Sequence, residues 1–257
     1  MKNFWQDKVV IVTGASSGIG TSCVKEVAAR GARVVMAARN EGRLRELSKD
    51  MPEGSALVVR TDVSQRDQVD GMIAQTVERF GRVDVLINNA AVGMKGSIIS
   101  SPLDKYEQMM QTNVYGALYC IRAVYPHMKS QGGGSIVNVS SIAGLKGFYT
   151  CGLYASTKFA LNGMTESLAE SALQDHIHVA LICPGKVETA FDNNLLYFEG
   201  TRSTEASGIE AVDVSRAILK AVEKKKRLVV IGKKCWPLYL LNRMSPALTN
   251  FLIRKFY

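Results

Sequence analysis

The chain has 257 residues, with 32 Lys and Arg against 23 Asp and Glu for a formal balance of +9, 47% apolar residues, 22 Gly and 6 Pro. Such a chain makes one ordinary globular domain, which excludes a disordered tail or a collagen-like repeat. The charge is uneven: residues 1–223 hold 23 cations and all 23 acids, so the excess lies in the last 34 residues, whose nine cations (Lys224, Lys225, Lys226, Arg227, Lys233, Lys234, Arg243, Arg254, Lys255) have no acid among them. That distribution speaks for a basic tail on a neutral domain and against a nucleic-acid binder.

Short β-branched runs alternate with longer amphipathic segments from the start of the chain. Strands are expected at Val9–Thr13, Arg33–Ala38, Ala56–Arg60, Val83–Asn88, Ser135–Ser140, His178–Cys183 and Leu228–Ile231. Helix-period segments lie between them, near 18–30, 41–50, 65–80, 104–130, 153–174 and 211–224. The strands are nearly continuous apolar runs, which suits a sheet buried on both faces. Strand and helix in alternation imply an α/β domain: a doubly wound, seven-stranded parallel sheet with helices on both faces. No linker or repeat divides the chain.

The first strand runs directly into Thr13-Gly14-Ala15-Ser16-Ser17-Gly18-Ile19-Gly20 and then a helix. A tight turn needs backbone freedom at Gly14, and a pyrophosphate approaches a helix N-terminus closely only where Cβ atoms are absent, as at Gly18 and Gly20. Alone the turn is also an ordinary strand-to-helix connection; between a buried strand and a helix it favours a nucleotide site. The three-residue spacing of the first two glycines resembles the classical short-chain dehydrogenase/reductase family. Further stretches agree, in that family's order and spacing up to about residue 232: Asn88-Asn89-Ala90-Ala91 after the fourth strand, Asn113 in the long middle helix, Tyr154-x-x-x-Lys158 after Ser140-Ser141, and Pro184-Gly185 closing the sixth strand. Ala91 stands where family members usually have Gly, which should slightly alter the loop beside the nicotinamide.

The resemblance implies a Rossmann-type fold and a nicotinamide cofactor held by Gly14, Ser16, Ser17, Gly18, Ile19 and Gly20, with Asn89, Ala90 and Ala91 beside the ring. It further implies adenine contacts from Asp62 and Val63, a clamp near the nicotinamide amide from Pro184, Gly185, Val187 and Thr189, and cofactor contacts from Tyr154 and Lys158. Cofactor choice is argued at Ala37-Ala38-Arg39-Asn40. No carboxylate stands at Ala38 to accept from a ribose of NAD, whereas Arg39, beside Asn40, offers a fork of donors to a 2′-phosphate, so NADP(H) is expected. Arg39 read blandly is a solvated charge at a strand end.

Tyr154 and Lys158, four apart, share one face of a helix. A free tyrosine has a pKa near ~10, and a nearby ammonium together with the cofactor's positive ring would favour the phenolate. Tyr154 can then exchange a proton with a carbonyl or alcohol oxygen. Ser141, thirteen residues before Tyr154, matches the family's catalytic serine, whose hydroxyl holds the substrate oxygen. Ser140 is expected to satisfy its hydroxyl on local backbone. Asn113 resembles the family's helix-bending asparagine, whose freed carbonyl holds a water of a proton relay through Lys158.

The five cysteines, scattered and odd in number, suggest neither a disulfide framework nor a zinc site, and a reducing, cytoplasmic compartment is expected. The first residues lack the pattern of a signal peptide, and no apolar stretch is long enough to span a bilayer. His127, His176 and His178 form no ligand set, so no metal is expected. Met109, Met110, Met128 and Met164 fall on helical segments and are expected in the core or at a subunit interface.

Segment 188–210 carries Phe191, Leu195, Leu196, Tyr197 and Phe198 and corresponds in position to the family's substrate lid, although its aromatics would equally pack on the sheet edge. The core is read as 1–232 and the remainder, 233–257, as a basic amphipathic extension. Leu248, Phe251, Leu252 and Phe256 recur there at helical intervals among cations. Peripheral contact with an anionic membrane competes with packing on its own domain or on a partner subunit. The expected activity is NADP(H)-dependent hydride transfer to or from the carbonyl or secondary alcohol (CH–OH) of a small hydrophobic, lipid-like substrate, a carbonyl reductase in type. The alternative is a non-catalytic dinucleotide-binding sensor or scaffold attached through its tail. The resemblance also implies a homodimer or homotetramer built on helices 104–130 and 153–174.

Overall fold

The computed structural model describes residues 3–200 and 208–256. Seven strands, β1 (Val9–Thr13), β2 (Arg33–Ala38), β3 (Ala56–Arg60), β4 (Val85–Asn88), β5 (Gly134–Val139), β6 (Ile177–Pro184) and β7 (Leu228–Ile231), form one parallel sheet in the order β3-β2-β1-β4-β5-β6-β7. The helices between them are α1 (Gly18–Ala28), α2 (Glu41–Ser48), α3 (Arg66–Phe80), α4 (Leu103–Met110), α5 (Gly116–Ser130), α6 (Gly152–Ser171) and α7 (Ala211–Glu223). The result is a Rossmann-like α/β domain with helices on both faces of its sheet.

Successive residues of each strand feed different cores, which is why the strands read as unbroken apolar runs. Val10, Val12, Val34 and Met36 pack against Cys23, Val24 and Val27 of α1 and Ile218 and Val222 of α7. Their neighbours Val9, Ile11, Val35 and Ala37 pack on the opposite side against Met72 of α3 and Ile121, Val124 and Met128 of α5. A chain of polar contacts crosses this apolar interior at the centre of the sheet: Asn88 Nδ2 donates to Asn138 Oδ1 at 2.9 Å, and Asn138 Nδ2 donates to Thr165 Oγ1 at 2.8 Å.

β4 begins at Val85, two residues later than the apolar run suggests. Val83 gives its N–H to Gln131 Oε1, and the Asp84 carboxylate accepts from the Val9 N–H and from Lys8 and Arg82. Burial pushes the Asp84 carboxyl up, but those bonds outweigh it and hold the group below the usual carboxylate range. The long middle helix is not continuous either. Gln111–Tyr115 is a π-turn between α4 and α5, in which the Gly116 N–H donates to Gln111 O, five residues back.

Segment 188–210 is less irregular than its sequence suggests. Val187–Glu188 pairs with Ile209–Glu210, Tyr197–Phe198 pairs with Met94–Lys95, and Ala190–Asn193 makes a short 3₁₀ turn. Its middle part, 201–207, lies outside the described residues. After β7 the chain forms two more helices, α8 (Cys235–Met244) and α9 (Pro246–Phe256), which pack on each other. The side chain of Phe256 also lies outside the described residues.

Candidate active site

The strand order reverses between β1 and β4, and a cleft of about 880 Å³ opens there along the carboxyl ends of the strands. This is where ligands bind in open α/β sheets. The cleft is lined by every expected site residue except Gly20 and Asn113.

At its floor, Gly14 has φ +65°, a left-handed conformation that favours glycine, and a Cβ there would lie 2.8 Å from Ala90 Cα. Gly18 (φ +52°) leaves room for the Thr189 methyl, and Thr189 Oγ1 caps the turn that follows by accepting from Phe191 N. Gly20 has a packing role that its sequence context does not show. A Cβ at Gly20 would come 2.1 Å from Gly14 O, so close packing of α1 on the turn by itself demands glycine there. Ser17, the residue before α1, makes no side-chain capping bond, so the first turn of α1 faces the cleft with donor amides that a phosphate can satisfy. The residues present therefore fit a dinucleotide.

Thr13, which the sequence reading passed over, fixes the opposite edge. Its hydroxyl accepts from Asn89 N at 3.0 Å and from Ala90 N at 3.1 Å, while Asn89 Nδ2 donates to Thr13 O at 3.0 Å and Gly14 O at 3.3 Å. These bonds tie the loop after β4 to the glycine turn. At the β2 and β3 ends, Arg39 and Arg60 flank Asp62 around a second hollow, and neither arginine has a hydrogen bond or ion pair among the described residues. Asn40 caps α2 by accepting from Arg43 N, and Asp62 Oδ1 accepts from the Ser64 N–H and hydroxyl.

Ser141, Tyr154 and Lys158 meet on the other wall. The Ser141 hydroxyl accepts from Ala143 N at 3.1 Å and hydrogen-bonds the Tyr154 phenol. Lys158 is buried, only 2% exposed, and its Nζ donates to Val139 O at 3.0 Å, 5.7 Å from the centre of the Tyr154 ring. Burial pushes the Tyr154 phenol above its ordinary value; the Ser141 bond opposes this, and Cys151, Asp192 and Cys183 add to it. Burial pushes Lys158 down to about 8, partly offset by Cys183. Both groups thus lean toward neutrality in the protein alone, so the phenolate expected from the sequence is not a property of this pair by itself.

Ser140 gives its hydroxyl to Asn162 Oδ1 on α6, not to local backbone as expected. Asn113, in the π-turn, donates to Val92 O (2.9 Å) and Thr157 Oγ1 (3.1 Å) and accepts from Val92 N (2.8 Å). Thr157 in turn donates to Tyr154 O at 2.8 Å. Asn113 therefore positions both walls from behind the cleft. Over the mouth, the Phe191 ring stands 5.9 Å from that of Tyr154, Leu196 N donates to Gly93 O at 2.9 Å, and Lys95 pairs with Asp192 at 3.0 Å.

Outside the cleft, His178 Nε2 meets Lys226 O, Met109 and Met128 are buried, and Met110 and Met164 are half-buried. Cys23, Cys120 and Cys183 are buried, while Cys151 lines the cleft beside Tyr154.

Comparison with known proteins gives consistent results. The family model for short chain dehydrogenase matches residues 8–199. The uncharacterized oxidoreductase YxnA of Bacillus subtilis is 35% identical, over 97% of this chain and 72% of its own length. Dehydrogenase/reductase SDR family member 7B of Danio rerio is 33% identical, over 95% of this chain and 83% of its own. Among solved structures, a short chain dehydrogenase/reductase from Burkholderia phymatum in complex with NAD superposes with a TM-score of 0.87 at 26% identity, covering 96% of both chains.

Proposed function

This chain belongs to the short chain dehydrogenase family, and on that premise we propose that it is an NADP(H)-dependent oxidoreductase acting on the carbonyl or secondary alcohol of a small hydrophobic substrate. The observation that carries the reading is the convergence of Ser141, Tyr154 and Lys158 on one wall of a cleft whose floor fits a pyrophosphate. When bound, the nicotinamide supplies or accepts the hydride.

The chain's own residues do the rest. The amides of the first turn of α1, with Ser16, Ser17 and Gly18, hold the phosphates. Arg39, and Arg60 beside it, give unpaired donors to a 2′-phosphate, and Ala38 brings no carboxylate against it. The Burkholderia phymatum protein holds NAD; here the choice of NADP(H) rests on these two arginines. Ser141 holds the substrate oxygen. Tyr154 gives that oxygen a proton during reduction, or takes one from it during oxidation. Lys158 keeps a charge-bearing donor behind the phenol, which favours the phenolate that takes a proton during oxidation. The Asn113 side chain is fully used in positioning, so a proton relay there runs through its backbone carbonyl. Phe191 and Leu195 at the cleft mouth favour an apolar substrate.

Tyr115 and Phe159, exposed on the long middle helices, support a homodimer or homotetramer. No helix among the described residues is long and apolar enough to cross a membrane. Five free cysteines support the proposed cytoplasmic setting.

The test is NADPH oxidation against a panel of apolar ketones and aldehydes, run beside Tyr154→Phe. Turnover by the native chain, reduced ~10²- to 10⁴-fold in the variant with NADPH affinity kept, is expected. NADPH binding without reduction of any carbonyl would favour the sensor or scaffold reading.

A further inference from the structure

The α8–α9 hairpin presents a surface that the cleft's chemistry does not use. Its inner side is anchored. Cys235 Sγ fills the space above Gly185 and Gly232, where an added Cβ would come within 2.6 and 2.8 Å of it. Asn242 Nδ2 donates to Leu145 O at 3.2 Å, and Lys146 Nζ donates to Asn250 Oδ1 at 2.7 Å. Thr249 is buried, while Leu238, Leu241, Leu252 and Ile253 are half-buried.

The outer side is apolar and cationic together. Trp236 (45% exposed), Leu240 and Met244 (85%) follow one another at four-residue intervals and so form one stripe on α8; Leu248 and Phe251 (60%), three residues apart, are the exposed large apolar residues of α9 among those described. Arg243 lies one turn along from Leu240, and Arg254 and Lys255 lie one turn along from Phe251, with Lys233 and Lys234 at the entrance to α8. No acid occurs after Glu223.

We propose that this face of the α8–α9 hairpin docks on the surface of an anionic phospholipid bilayer, with Trp236, Leu240, Met244, Leu248 and Phe251 entering the headgroup boundary and the basic residues meeting lipid phosphates. Among the described residues, the hairpin's own domain does not cover these side chains; it takes the opposite side. A second copy of the chain is disfavoured by charge, because a two-fold contact would set a predominantly cationic face against itself. Cations interleaved with apolar and aromatic side chains are what an interfacial helix needs, and anionic lipid is the surface of opposite charge that such a face fits.

The hairpin is also held by residues that line the cleft or adjoin its lining. Gly185 and Phe148 line the cleft, and the segments that hold the hairpin, Gly185 and Leu145–Lys146, adjoin them in sequence or in space. A docked protein therefore has the hairpin between the bilayer and residues that line the cleft, and the substrate class that suits this placement is an apolar carbonyl compound dissolved in lipid. This last step rests on the carbonyl-reductase reading; docking itself does not.

The experiment uses the full chain with vesicles of phosphatidylcholine alone and of phosphatidylcholine with phosphatidylserine. Co-sedimentation and tryptophan emission are read together. Trp5 is buried and bonded to Glu223 through its indole N–H, so an emission change on binding reports Trp236. Binding to the anionic vesicles only, weakened by salt, and lowered about tenfold or more by the triple variant Lys233→Glu, Lys234→Glu, Arg254→Glu and by the pair Met244→Ser, Phe251→Ser, is expected. Both variants should keep the native melting temperature and the native rate on a water-soluble ketone. Equal binding to neutral vesicles, or variants that bind like the native chain, would overturn docking. So would absence of vesicle binding with the apolar variant dissociating a dimer, which would give the face to a second copy. Failure to reduce any ketone, with anionic vesicle binding intact, would remove the enzymatic reading and leave the docking surface standing.

Discussion

Asn113 grips both backbone groups of Val92, donating to its carbonyl at 2.9 Å and accepting from its N–H at 2.8 Å, much as a neighbouring strand would. The bond pair joins the π-turn to the loop after β4, and the further bond to Thr157 carries the connection to the backbone of Tyr154. One side chain thus sets the spacing of the two walls between which substrate and cofactor would lie.

Asn113→Ala would leave the Val92 groups without these partners, at about 1–3 kcal/mol for each buried group left unsatisfied. Urea unfolding should show that loss. A larger fall in kcat than in NADPH affinity should accompany it, because the displaced element carries Tyr154. A variant that loses stability alone would limit Asn113 to the fold.

Lys158 makes a pH-dependent contribution of unusual sign. Burial lowers its pKa from 10.5 to about 8. Between those values the unfolded chain binds more protons than the native one, so this residue makes stability rise with pH across that window. Below about pH 8 both states hold the proton and the cost of burying the ammonium is constant. Lys158→Met removes the effect. Its stability advantage over the native chain should be largest below pH 8 and shrink by about 3 kcal/mol by pH 10.5. Urea melts at a series of pH values would measure it; a difference independent of pH would mean that the ammonium is solvated.

Arg39→Asp should move cofactor preference from NADP(H) toward NAD(H). A charge-assisted hydrogen bond is worth about 1.5–3 kcal/mol, or roughly ten- to a hundredfold in the ratio of the two dissociation constants. Arg60→Ala should shift the ratio in the same direction by less. An unchanged ratio for Arg39→Asp would take that residue out of the phosphate site.

Gly20→Ala sets a Cβ against the Gly14 carbonyl, a backbone atom that cannot swing away. It should cost about 1–3 kcal/mol or more and weaken cofactor binding by distorting the turn. Gly71, inside α3 with open space around it, gives the control: Gly71→Ala should stabilise by roughly 0.5–1 kcal/mol. Thermal melts of both variants decide the point.

Four strands, at Val9–Thr13, Arg33–Ala38, Ala56–Arg60 and Leu228–Ile231, end where the apolar runs end, because local composition and burial agree there. The start of β4 was not legible, since it depends on Gln131 and on the arrangement around Asp84, remote in sequence from it or from one another. The break in the helix at Gln111–Tyr115 was anticipated only through the resemblance that made Asn113 a helix-bending asparagine; its bonds to Val92 and Thr157, remote in sequence, were not. At the site, residue types and spacing pointed to the cleft-lining set. They missed Thr13, an ordinary strand threonine until its bonds to Asn89 and Ala90 are seen, and they did not show the Gly14 carbonyl that packs against Gly20. The lid's strand pairs were hidden for a further reason: two-residue strands carry no periodicity to read.

A sheet whose strands are apolar on both faces has a weakness that a half-exposed sheet lacks. Sliding one strand by a single residue exchanges the two cores without placing any polar side chain inside or any apolar one in water, so hydrophobicity alone does not oppose the slip. The Asn88–Asn138–Thr165 chain supplies what is missing. Asn88 and Asn138 are aligned partners across β4 and β5, and a slip by one residue would strand both amides in hydrocarbon. The three polar residues act as a locating pin for the centre of the sheet, and the cleft, whose walls leave from the ends of these same strands, inherits its alignment from them.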